Sequence, residues 1–130
     1  MRFCRALSLA AASLLAACAV VTTADGTRLG IGSDEFRVYV ERVFREQNKT
    51  ASDLAFALDD ATAAGGAEPR DLAAAEETLL GACAGLNELA TSRRDAQHLG
   101  LRRSAAAARG APDCERATRV AQAALATRTR

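Results

Sequence analysis

The 130-residue chain has no tryptophan, one histidine, one lysine, one tyrosine and two prolines. Each shortage excludes something. With His98 as the sole histidine, a serine nucleophile has one imidazole to draw on, and no Gly-x-Ser-x-Gly elbow presents such a serine. No glycine-rich loop of the phosphate-cradling kind occurs either. The four cysteines include no Cys-x-x-Cys pair, and together with one histidine they form no recognisable metal-ligand set. Paired carboxylates occur at Asp59-Asp60 and Glu76-Glu77, but neighbouring residues on a helix point apart, as they do on solvated helix faces. The sequence therefore predicts no enzyme, no cofactor and no bound metal.

Scarce proline and aromatics, set against abundant alanine, favour helices, because alanine loses no side-chain entropy on ordering. A genome rich in Ala and Arg codons accounts for the same bias. The spacing predicts a first helix over 33–62. Ser33 is a suitable N-cap, Asp34 and Glu35 suit the positive end of the helix dipole, and Gly65-Gly66 stops the run. Phe36, Val40, Val43, Phe44, Gln47, Ala51, Leu54, Ala57, Leu58 and Ala61 recur at three- and four-residue intervals as one stripe. Phe36, Tyr39, Phe44 and Phe56 all lie here and read as core, with a partner groove as the alternative. Gln47 and Thr50 interrupt the stripe, and a break between residues 48 and 52 stays open.

A second helix is expected over 69–99. Pro69 suits its first turn and Gly100 its left-handed C-terminal position. Leu72, Ala75, Leu79, Ala82, Cys83, Leu86, Leu89 and Ala90 form its apolar face, and Gly81, Ala82, Ala84 and Gly85 would admit a neighbouring backbone. Gly110 and Pro112 divide the remainder into helices 101–109 and 112–127, the latter with Asp113 and Glu115 in its first turn. The expected fold is all-α: a small antiparallel helical bundle of two long helices plus shorter C-terminal helices.

The N-terminus carries an address. Arg2 and Arg5 precede an uncharged apolar run over 6–17, which ends in Leu15-Ala16-Ala17-Cys18. Apolar character lasts only about 16 residues, to Val21, where a membrane span needs roughly 20. A leucine and two small residues immediately before a cysteine resemble the signal peptides of bacterial lipoproteins, although a plain secretory site after Ala17 has similar small residues. The resemblance covers residues 1–18 alone. It implies removal of residues 1–17, lipidation of Cys18 and attachment to a membrane, with 18–32 as a flexible tether and 33–130 as a helical domain. Asp25-Gly26 could turn a hairpin within the tether, but an isolated two-stranded hairpin is marginal in water, and a linker is expected. Ala19 is not the aspartate that retains many such proteins at the inner membrane. In a host with two membranes, the periplasmic face of the outer one is favoured.

This address also sorts the cysteines. The resemblance implies that Cys4 leaves with the leader and that lipidation occupies Cys18, which would leave Cys83 and Cys114 as an even pair in an oxidising compartment. One disulfide between them is expected.

Charge is unevenly spread. Thirteen acids accompany six bases over 19–92, while nine bases accompany three acids over 93–130. If Gly100 leaves the turn unbroken, Arg94, His98 and Arg102 share one helical face, a possible anion-facing patch for lipid headgroups, wall or lipid-linked phosphate, or an acidic protein. The simpler reading is complementarity within the molecule and a solvated surface. Nucleic acid is not expected as a partner, given an envelope location. The residues thus point to a small lipid-anchored cell-envelope protein that binds or scaffolds an envelope protein or the cell wall. The alternative is a periplasmic inhibitor or immunity-type lipoprotein acting on a hydrolase or toxin.

Overall fold

A computed structural model describes residues 20–65 and 69–128, and the leader, Cys4 and Cys18 lie outside the described residues. Among the described residues the structure is mostly helical, with three helices, one small two-stranded sheet and one disulfide.

Helix α1 spans Asp34–Ala63. The Ser33 hydroxyl accepts the Phe36 N–H at 3.1 Å, with Asp34 and Glu35 in the first turn. Its far end closes through Gly65 at φ 70°, whose N–H donates to the Thr62 carbonyl. Phe36, Tyr39, Val43, Gln47, Thr50 and Leu54 are buried at steps of three and four, whereas Phe56, expected in the core, falls off that stripe and is exposed. The helix does not break at 48–52, because the two polar residues that interrupt the stripe find partners. Gln47 Nε2 donates to Asn87 Oδ1 at 2.8 Å, and Thr50 Oγ1 donates to the Glu46 carbonyl and accepts from Gln122 Nε2.

Helix α2, Arg70–Arg94, buries Leu72, Ala75, Leu79, Cys83 and Leu86. Its end corrects the expectation of a helix to residue 99. The Gln97 N–H donates to the Ser92 carbonyl and the Ala96 N–H to the Arg93 carbonyl, with Ala96 at φ 53°. This is a Schellman closure, with alanine where glycine is usual.

Helix α3 runs unbroken over Leu101–Arg128, where two shorter helices were expected. Pro112 lies inside it, and Gly110 stays helical. An internal proline loses one backbone hydrogen bond and crowds the carbonyl four residues earlier, which costs about 3 kcal/mol. The compensation is a continuous buried face on both sides of the proline, from Ala107, Ala108 and Ala111 to Cys114, Ala117 and Ala121. A break would forfeit packing over half the helix. The domain therefore has three long helices.

The disulfide joins Cys83 to Cys114 with their Cα atoms 4.6 Å apart. A Cβ added at Gly85 would lie 3.4 Å from the Ala107 Cα, so glycine permits the close approach of α2 and α3. Ala84 and Gly81 point to solvent instead. The pairings Asp71–Arg128, Cys83–Cys114 and Glu88–Arg103 show that α3 runs opposite to α2. Tyr39 and Arg42 meeting Glu115, and Thr50 meeting Gln122, show that it runs alongside α1 in the same sense.

The expected tether folds. Strands β1 (Val20–Thr22) and β2 (Arg28–Gly30) pair antiparallel, Val20 opposite Gly30 and Thr22 opposite Arg28. Between them, the Gly26 N–H donates to the Thr23 carbonyl and the Thr23 N–H to the Thr27 carbonyl, with Gly26 at φ 90°. This is a turn with a glycine bulge rather than a two-residue type I′ loop. The Asp25 carboxylate accepts from the Thr23 hydroxyl and the Thr27 N–H, which hold its pKa down at about 2. The hairpin survives because it is docked. Val21 is buried in the core, β1 packs on α3, and β2 packs on α1.

Candidate functional site

Two features concentrate chemistry: a buried carboxylate and an open apolar groove. The carboxylate is Glu115, 2% exposed in the middle of α3. The Tyr39 hydroxyl donates to its Oε2 at 2.9 Å, and the Ala24 N–H donates to the same oxygen at 3.2 Å. Arg42 and Arg119 donate to Oε1 at 3.1 and 2.7 Å. The Arg42 guanidinium also stacks over the Tyr39 ring, 5.4 Å from its centroid. Burial pushes the Glu115 pKa up, but the hydrogen bonds from Tyr39, Ala24, Arg42 and Arg119 outweigh it and hold the carboxyl below its usual range. Burial, followed by the bond to Glu115, pushes the Tyr39 phenol well up.

Glu115 is thus an ionised carboxylate saturated by four donors, and it does not line the apolar groove. It ties the hairpin tip, α1 and α3 together. Expected in the first turn of a short helix, Glu115 stands instead midway along the unbroken α3. Ala111, Glu115 and Thr118 stand at helical spacing on one buried face, and that spacing was the available signal.

The groove, of about 600 Å³, lies where the start of α1, the end of α2 and the start of α3 converge. Phe36, Val40, Leu86, Leu89, Leu99 and Ala108 form apolar walls, and Arg37, Glu41, Arg93, Gln97 and His98 contribute polar side chains. Ile31, Gly32 and Ser33, which lead from β2 into α1, also line it. Leu101 stands at its edge with 91% of its surface exposed.

The structure separates the expected anion-facing residues. Arg94 ends α2 and pairs with Asp95 at 2.9 Å, His98 lies in the connector, and Arg102 opens α3. They cannot share one helical face, because Ala96 turns the backbone out of the helix. Of the three, His98 lines the groove. Cys83 and Cys114 are joined, and Cys18, the expected lipidation position, lies outside the described residues. Among the described residues, no group of three or more His, Cys, Asp or Glu could hold a metal ion, and no helix is long and apolar enough to cross a membrane.

Comparison with known proteins finds no matching family model, no similar curated protein and no similar solved structure.

Proposed function

We propose that this protein is a small lipid-anchored component of the bacterial cell envelope that works by binding or scaffolding. The carrying observation is the groove: an open, preformed, mostly apolar cleft with a few polar groups at its edges, which is the usual form of a binding site. The Leu15-Ala16-Ala17-Cys18 pattern supports the anchor and the exported compartment, and a bonded Cys83–Cys114 pair suits an oxidising one. The one carboxylate with several cationic partners is saturated by structural donors, which favours binding over acid–base chemistry.

The direct test is processing in a bacterial host. Cys18→Ala, or globomycin treatment of the unaltered chain, is expected to leave an unprocessed precursor. Mature-sized protein under both conditions would refute the anchor. Cross-linking of the tethered protein in its own envelope then identifies what the groove holds.

A further inference from the structure

We propose that the groove end of the molecule is a bilayer seat, which rests on an anionic phospholipid surface and takes one lipid acyl chain into the groove. The inference rests on the anchor reading above and deepens it. Its first support is the path of the chain. Val20 pairs with Gly30, and the residues that follow Gly30 line the groove. Cys18 precedes Val20 by two residues, so its Cα lies within about 7 Å of that of Val20. The hairpin has consumed the slack that an extended stretch of 19–32 would provide. A lipid on Cys18 therefore holds this end of the bundle, and not its far end, against the membrane.

The second support is the match of surface to lipid. Apolar walls formed by Phe36, Val40, Leu86 and Leu89 open beside Leu101, a leucine exposed over 91% of its surface. Between residues 93 and 109 there are five arginines and one acidic residue, Asp95. Arg93 and Arg102 make no ion pair among the described residues. Of the acids at this end, Asp34 and Glu41 pair with Arg37, Glu88 with Arg103 and Asp95 with Arg94, while Glu35 in the first turn of α1 makes no ion pair among the described residues. The opposite end carries Asp59, Asp60, Asp71, Glu76 and Glu77 at the close of α1 and the opening of α2. An apolar slot with the unpaired Arg93 at its edge and Arg102 nearby on the opening turn of α3, at the end that the proposed anchor holds down, fits a phospholipid with its chain inside and its phosphate at Arg93 and His98. Electrostatic attraction of this kind is worth about fivefold in binding per basic residue near an anionic surface.

Because the chain contains no tryptophan, one introduced residue reports its own depth. The test uses the full chain, processed in a bacterial host, as Leu101→Trp or Phe56→Trp. Both positions are highly exposed, and Phe56 lies toward the far end of α1. Each protein is reconstituted in vesicles of phosphatidylglycerol and phosphatidylcholine with brominated acyl chains. Leu101→Trp is expected to lose emission to bromine quenching while Phe56→Trp keeps it. Equal emission from the two, in protein that carries acyl groups by mass and floats with the vesicles, overturns the seat and favours a protein partner for the groove. If mass shows no acyl groups, the anchor reading fails, and the full chain with Cys18→Ser is added to the same vesicles. Stronger association with phosphatidylglycerol than with phosphatidylcholine, weakened roughly 30-fold by Arg93→Gln with Arg102→Gln, then supports the seat. No association, or no headgroup preference, overturns it.

Discussion

Replacing Glu115 with alanine would be the most informative single perturbation of this fold. The side chain is 2% exposed, so its four hydrogen bonds are made away from water. Their loss is not uniform. Arg42 and Arg119 are 42% and 54% exposed and return their guanidinium groups to solvent, so each of those pairs contributes at most about 1 kcal/mol. The Tyr39 hydroxyl is buried and the Ala24 N–H partly so, and hydrogen bonds to a charged group are worth about 1.5–3 kcal/mol each. The two buried bonds amount to about 3–6 kcal/mol and the two arginine pairs add at most about 2, so the expected cost of Glu115→Ala is about 3–8 kcal/mol. Glu115→Gln keeps the volume and one acceptor oxygen and should cost less. Urea denaturation followed by far-ultraviolet circular dichroism measures both. The pH dependence supplies an independent check. Because the folded carboxyl lies below its usual range, its contribution is fully present above the unfolded pKa of about 4.3 and is lost as the pH falls through the folded value. The gap between the unaltered protein and Glu115→Gln should therefore narrow in acid. A Glu115→Ala protein within about 0.5 kcal/mol of the unaltered one at neutral pH would refute the reasoning.

Two further outcomes follow from the helix pair. The disulfide closes a loop with a sequence separation of 31, and reducing it should lower stability by about 3–4 kcal/mol on the chain-entropy scale, measured as a shift in urea midpoint with and without reductant. An unchanged midpoint after complete reduction would show that helix packing alone holds α3. At the end of α2, Ala96→Gly should raise stability by about 1 kcal/mol, because alanine at φ 53° carries steric strain that glycine lacks. A loss of stability would mean that the left-handed turn is not retained in solution.

Legibility in the sequence followed locality. The Ser33 cap, the Gly65 stop and the three-four stripe of α1 depend on residues within a turn of one another, and they were readable. The Cys83–Cys114 bond was readable because the other two cysteines had been assigned elsewhere. What escaped depends on distant partners. The hairpin is stable only because Val21 and Ala24 find α3, ninety residues on in the case of Ala24 and Glu115. Pro112 looked like a boundary, since the packing that overrides its cost comes from α2. Gly100 looked like the end of α2, but the chain turned earlier at an alanine that no propensity would select. The groove's place was not readable: a partner groove was the alternative for the α1 aromatics, of which Phe36 lines it, but its walls come from three helix ends that meet only in the folded chain.

Three of these features, the docked hairpin, the unbroken α3 and the groove, act on one another. Had residues 19–32 remained a tether, they would reach at most about 45 Å when extended, and an anchored body could present any face to its surroundings. Under the proposed anchor, the docked hairpin would shorten that reach to the two residues before Val20 and commit one end of the bundle to the lipid. What docks the tip of the hairpin is Glu115, through the Ala24 N–H, on a helix that stays whole across Pro112. A break at Pro112 would separate Glu115 from the first half of α3, which contributes Leu101, Ala105 and Ala108 to the groove. The unbroken helix therefore carries both the clamp that positions the anchor and a wall of the cleft beside it. Under the anchor reading, the orientation of the cleft is a consequence of helix continuity, and a buried glutamate in an otherwise alanine-lined face is the residue that enforces it.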